Sequence, residues 1–141
     1  MEIDPTFANV HTHLSQAYTL LGKYDLGFEE WVKADTLNGD TEDLAIAQAV
    51  SREYSKSGYP AAMKRYVELQ EEESKRIYVD PMLIAGNYAV IGEKDKAFNL
   101  LEKGYQEKSA FMAYIKVFPW LDSLRSDPRF ADLLRRMGLP Q

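Results

Sequence analysis

A four-position pattern recurs three times along this chain at an almost constant step. A hydrophobic residue, a small residue, a tyrosine and a glycine occur as Leu14, Ser15, Tyr18 and Gly22, then as Val50, Ser51, Tyr54 and Gly58, then as Ile84, Ala85, Tyr88 and Gly92. The steps are 36 and 34 residues. A helical hairpin of this size cannot bury its own apolar face, whereas hairpins stacked in register bury a continuous one. A fixed period in this range therefore predicts a pile of helix-turn-helix units.

The period extends past the glycine. Nine residues after each tyrosine stand Gly27, Met63 and Ala97, and four further on Trp31, Val67 and Leu101. Residues four apart share a helix face, so each unit reads as helix A, a glycine-led turn and helix B. Gly22, Gly58 and Gly92 fall where helix A must stop, the usual place for a left-handed residue. The spacing predicts helices over about 7–21 and 24–37, then 41–56 and 60–74, then 81–91 and 94–107. Asp4-Pro5, Asp80-Pro81 and Asp127-Pro128 each have the form of an N-cap followed by proline at the first helical position. Asn38-Gly39-Asp40 separates the first two units.

Beyond Glu107 the pattern degrades. Ser109 to Lys116 reads as a short helix capped by Ser109 and interrupted by Phe118-Pro119-Trp120. Pro128 to Met137 reads as a last helix with Phe130, Leu133, Leu134 and Met137 on one side, stopped by Gly138. A stack leaves the apolar face of its last repeat open, so the segment over about 112–139 is expected to cap it.

These slots resemble the tetratricopeptide repeat, W-x2-L-G-x2-Y, then A-x3-F, then P. His11 stands in the tryptophan slot of the first unit, with Gly27 and Trp31 in its alanine and phenylalanine slots. The third unit matches with Ile84-Ala85, Tyr88, Ala97 and Leu101. The second is weakest, because Met63 is large for its slot. The resemblance implies an all-α, right-handed superhelical stack of three hairpins with a C-terminal capping helix. It implies one domain over 1–141, with repeats at about 8–41, 44–77 and 78–111. Pro5 lies one period before Gly39, in the terminal proline slot, so a further repeat is expected upstream in a longer protein. A narrower resemblance, over Gly92-Glu93-Lys94-Asp95-Lys96-Ala97-Phe98, Leu101-Glu102-Lys103, Leu124-Arg125-Ser126-Asp127-Pro128-Arg129-Phe130 and Leu133-Leu134, is to the C-terminal repeat regions of bacterial multidomain regulators that carry a winged-helix, cyclase or kinase domain in front. It implies a regulatory or sensing module.

In the tetratricopeptide architecture the A helices line a concave face that binds peptides or proteins. The residues expected there are Asn9, Thr12, Gln16 and Thr19 from the first unit, Gln48, Arg52, Ser55 and Lys56 from the second, and Met82, Gly86, Ala89 and Val90 from the third. That face would be polar at one end, basic in the middle and apolar at the other. The apolar third is expected either to be filled by the chain's own C-terminal segment or to dock an apolar peptide. Thr12 and Gln16 stand where chaperone-tail-binding repeats carry a lysine and asparagines, so that use is not carried over. A second reading is a homodimer formed through the open N-terminal face.

The remaining features argue against other classes. A net charge of −5 provides no basic stripe for nucleic acid. With no cysteine there is no thiolate metal site and no thiol catalysis. No segment approaches the roughly 18 apolar residues of a membrane helix, and Met1 to Val10 lacks the basic head and apolar run of a signal peptide, so a cytoplasmic location is expected. His11 and His13, two apart on a helix, point in nearly opposite directions and cannot share an ion. Glu71-Glu72-Glu73 reads as the solvated end of a helix, followed by Lys75-Arg76. Arg125, Arg129, Arg135 and Arg136 lie among Asp122, Asp127 and Asp132, as a mixed-charge surface would. No nucleophile elbow or phosphate-gripping glycine loop is present. Neither enzyme activity nor a cofactor or metal is expected.

Overall fold

A computed structural model describes residues 5–140. The expected Asp4 cap, and Met1 to Asp4 of the expected open end, lie outside the described residues. Among them the chain is all-α, with seven α-helices and two 3-10 helices packed as sequential antiparallel pairs and without a strand. The helices are α1 (Pro5–Leu20), α2 (Tyr24–Asn38), α3 (Thr41–Ser57), α4 (Tyr59–Ser74), α5 (Pro81–Val90), α6 (Lys94–Gln106) and α7 (Pro128–Arg136). The 3-10 helices are η1 (Ala110–Tyr114) and η2 (Pro119–Leu124). The chain forms two compact units, 1–66 and 67–141.

In the first unit α1 and α2 approach closely at two small residues. The Ser15 hydroxyl donates to the Gly27 carbonyl at 2.7 Å. A Cβ on Gly27 would sit 2.6 Å from Thr19 Oγ1 and 3.2 Å from the Ser15 carbonyl oxygen, so glycine is required there for packing. His11 is half-buried and bonded through Nδ1 to the Glu30 carboxylate, and His13 is exposed. Next to this contact lies an aromatic cluster. Tyr24 stacks on Tyr59 with centroids 3.8 Å apart, and Phe28 lies 5.0 Å from Tyr54. Burial, and then Tyr24, push the Tyr59 phenol up to about 12. Asp40 caps α3, accepting from the backbone N–H groups of Glu42 at 2.9 Å and Asp43 at 3.1 Å.

Helix ends follow the glycines, with one difference. Gly22 (φ 75°) and Gly92 (φ 82°) close α1 and α5. At each, the next N–H reaches back five residues, Lys23 to Tyr18 at 2.8 Å and Glu93 to Tyr88 at 3.0 Å. Gly58 also has a positive φ, 87°, but its ψ is 179°. It departs from the expected left-handed conformation because this single residue both ends α3 and accepts the Ala62 N–H of α4. Only glycine reaches that combination of angles.

The second unit is built around α5, whose sequence is apolar except for Asn87. A helix apolar on all sides must be covered on all sides. The Asn87 amide is buried and donates to Gln70 Oε1 at 2.7 Å, so its polarity is matched. Asp80 caps α5 through the Met82 N–H at 2.9 Å and also receives the Ser109 hydroxyl. Ala85 and Ala97 are fully buried, as expected of the slots where α5 meets α6.

The C-terminal segment departs from expectation. Ser109 caps as expected, accepting the Phe111 N–H at 3.2 Å, but it leads into the short η1 rather than a helix reaching Lys116. η1 stops at Tyr114, before the expected break, and Phe118-Pro119-Trp120 starts η2 instead, with Phe118 at its N-cap and Pro119 in its first turn. Leu121 and Leu124, three apart, suit the period of three of a 3-10 helix and are both fully buried. The last helix, α7, is as expected: Phe130, Leu133 and Leu134 are buried, Asp127 accepts the Arg129 N–H at 3.0 Å, and Gly138 comes after it with φ 75°.

Where α6 ends, Lys108 takes the place of a glycine, with φ 56°. The Ser109 N–H closes the turn on the Gly104 carbonyl at 2.9 Å. A side chain in this region costs about 1 kcal/mol. Lys108→Gly is expected to stabilise the protein by about 0.5–1 kcal/mol, seen as a rise of a few degrees in Tm. An unchanged or lower Tm would contradict it.

Candidate functional site

The residues expected on a binding face divide between the two units. On α1, Asn9, Thr12 and Gln16 are exposed and Thr19 is half-buried. The Thr12 and Thr19 hydroxyls donate to the carbonyls one turn back, Ala8 at 3.1 Å and Ser15 at 2.8 Å. Asn9 and Gln16 are thus the polar groups of this set best placed to meet a ligand.

On α3, Gln48, Arg52, Ser55 and Lys56 are all exposed, and Ser55 bonds back to Ser51 at 3.3 Å. Among the described residues neither Arg52 nor Lys56 takes part in an ion pair. They are four apart, so both cations lie along one side of α3. This is the one expected set that combines exposure with uncompensated positive charge.

The α5 set is different. Met82, Gly86 and Ala89 are buried, and only Val90 is exposed. Of the two expectations for this apolar set, the structure has the one in which the chain's own segment covers it. A Cβ on Gly86 would lie 2.9 Å from Phe118 Cε1 and 3.0 Å from Trp120 Cβ. The Ser123 hydroxyl donates to the Ala89 carbonyl at 3.2 Å. With η2 seated here, Met82, Gly86 and Ala89 are not open to a ligand.

Some features had no clear signal in the sequence. Glu71, Tyr88, Lys96, Asn99 and Leu100 line a pocket in the second unit. The Tyr88 hydroxyl donates to the Glu71 carboxylate, and the Lys96 ammonium lies 5.5 Å from the Tyr88 ring centroid. Burial, reinforced by Glu71, pushes the Tyr88 phenol well above its ordinary range. The repeat pattern marks Tyr88 as a packing residue, but not the carboxylate waiting for it 17 residues earlier.

The C-terminal arginines are paired within the chain. Arg125 bonds Asp122 at 2.8 Å and the Phe118 carbonyl at 3.0 Å, fastening η2. Arg129 bonds Asp95 at 2.8 Å and Asp127 at 2.9 Å and lies 4.3 Å over the Phe98 ring. Arg129 holds the Asp127 carboxyl down at about 2. Arg135 pairs with Asp132, and Arg136 with Asp132 and Glu102. A phosphate would have to displace a carboxylate at each of them. Among the described residues no set of three His, Asp or Glu side chains is arranged to hold a metal ion, and no helix is long and apolar enough to cross a membrane.

Comparison with family models, with curated proteins and with solved structures finds no match for this chain. The exposed cations of α3 and the covered face of α5 are therefore read from their own chemistry.

Proposed function

We propose that this chain is a tetratricopeptide-like repeat module that binds a protein or peptide partner, with α3 as the main contact. The observation that supports it most is the placement of two tyrosines one period apart. From α3, Tyr54 reaches the preceding B helix, donating to Asp25 of α2 at 3.0 Å. From α5, Tyr88 reaches its own preceding B helix, donating to Glu71 of α4. Helix A of one hairpin packing on helix B of the one before is the contact that propagates a repeat stack. A right-handed superhelix over 1–141 is the architecture that repetition of this contact would build.

The exposed side of α3 carries Gln48, Arg52, Ser55 and Lys56, and two unpaired cations favour an acidic segment in the partner. The resemblance of the motifs at 92–98, 101–103, 124–130 and 133–134 to regulator C-termini extends the proposal to a regulatory or sensing part of a larger bacterial protein.

Arg52→Glu tests it. The side chain is exposed, so the fold is expected to survive, while recovery of acidic partners in a quantitative pull-down is expected to fall by about tenfold. Equal recovery of every partner by wild type and variant would remove α3 as the contact.

A further inference from the structure

One face of α1 is apolar, exposed and set out as a heptad seam. Phe7, Val10, Leu14 and Ala17, with Leu21 just past the helix end, follow steps of three and four residues, the spacing by which one helix packs along another. Phe7 is 58 % exposed, Val10 52 %, Leu14 38 % and Leu21 69 %, and Ala17 is exposed as well. This is not the face that α1 turns to α2, which carries the buried Ala8 and the half-buried Ser15. One and two periods on, Val50 and Ile84 occupy the slot of Leu14 and are buried. In α1 the same slot is uncovered.

Two features indicate what covers it. First, residues 5–22 contain no Asp, Glu, Lys or Arg, in a chain in which 28 % of residues are charged. Depletion of charge around an apolar centre is the compositional mark of an interface. For a protein of net charge −5 it also gives two copies a place to meet without like-charge repulsion. Second, the stripe complements itself. With two α1 helices run antiparallel about a twofold axis, Phe7 falls opposite Ala17 of the second copy and Val10 opposite Leu14. The largest side chain meets the smallest, and two middle-sized ones meet each other, on both sides of the axis. A twofold interface needs this self-complementarity.

We infer that α1 is a self-association surface, through which two copies of this chain form an antiparallel homodimer along Phe7, Val10, Leu14 and Ala17. The inference is independent of the partner contact on α3, because Arg52 and Lys56 are not among its residues. Burying the stripe removes apolar area from water, which is its driving force.

Sedimentation of the intact chain from about 1 to 200 µM tests it, a range matching micromolar association. The mass is expected to rise with concentration from 16.2 kDa towards twice that value. Leu14→Glu, and separately Ala17→Glu, put a charge in the seam without touching the buried core. Each is expected to weaken association at least about a hundredfold while leaving the helical circular dichroism unchanged. A wild type that stays monomeric at every concentration overturns the inference. A dimer as tight in both variants as in wild type overturns it too.

Discussion

Replacing Leu121 with alanine is expected to destabilise the second unit by about 2–5 kcal/mol. Leu121 lies in η2 and is fully buried. It belongs to one continuous core with Met82 and Ala89 of α5, Leu101 of α6 and Leu133 of α7. Removing its isobutyl group leaves a cavity bounded by several elements that cannot all close in. The unit has 75 residues, 67–141. At about 0.05–0.15 kcal/mol per residue its whole stability is of the same order as the loss. Denaturant unfolding followed by tryptophan fluorescence should show an early transition, since Trp120 sits beside Leu121. Val117→Ala, at a side chain 71 % exposed, is the matched control and should change little. A loss below about 0.5 kcal/mol, the usual range for surface changes, would mean that η2 contributes no cover to α5. Deleting 118–141 is the stronger form of the experiment. It uncovers Met82, Ala89 and Leu101 together and should yield an aggregating or partly unfolded chain. A monomer with unchanged melting would show that the α5 face needs no cap.

The paired helices were legible because each carries two independent signals that agree. The 3.6-residue period of buried positions marks the body of α2, α3 and α6, and glycine or Asp-Pro marks the ends. The starts of α2, α3 and α5 fall on the expected residues Tyr24, Thr41 and Pro81, and most other ends lie within one residue of expectation. Of the 3-10 helices, η1 was legible only through its Ser109 cap, not in its type or length, and η2 was not legible. Five or six residues are too few to establish a period, and Phe118-Pro119-Trp120 has the composition of a break whether or not a short helix comes next. Only the three-residue step from Leu121 to Leu124 hinted at η2.

The candidate site divides along the same line. Exposure of Asn9, Thr12, Gln16, Arg52 and Lys56 follows from helix geometry, because they lie off the buried stripe of their own helices. Burial of Met82, Gly86 and Ala89 depends on which distant apolar segment settles on α5, and many segments of this chain are apolar enough to do so. The Asn87–Gln70 and Tyr88–Glu71 contacts join residues 17 apart on different helices, where no local pattern couples them. That a face is open to solvent can be read from one helix. What binds there depends on a partner whose chemistry the fold does not fix.

Asp35→Asn is expected to raise the stability of the first unit at pH 7 by about 1–3 kcal/mol. Asp35 lies in the last turn of α2, where the helix dipole opposes negative charge. It is 8 % exposed, and its Oδ2 has no hydrogen-bond partner among the described residues. The charges facing it from α3 and its cap are Asp43 and Asp40, both of the same sign. Burial first, then Asp43 and Asp40, push its carboxyl up to about 6, against a lowering by the Trp31 side chain. Between its unfolded value near 4 and its folded value near 6, the folded state holds more protons than the unfolded one. Stability is therefore lost as pH rises through this window, and the deficit is complete above it. The amide of asparagine carries no charge at any of these pH values, so the variant lacks this slope. Paired unfolding curves of wild type and Asp35→Asn at pH 4 and pH 7, followed by the fluorescence of the adjacent Trp31, separate this contribution from the other carboxylates, which are common to both proteins. The stability difference should be small at pH 4 and grow in favour of the variant by pH 7. A difference that does not change with pH would mean that Asp35 is ionised in the folded protein throughout, with water or a cation satisfying the buried oxygen.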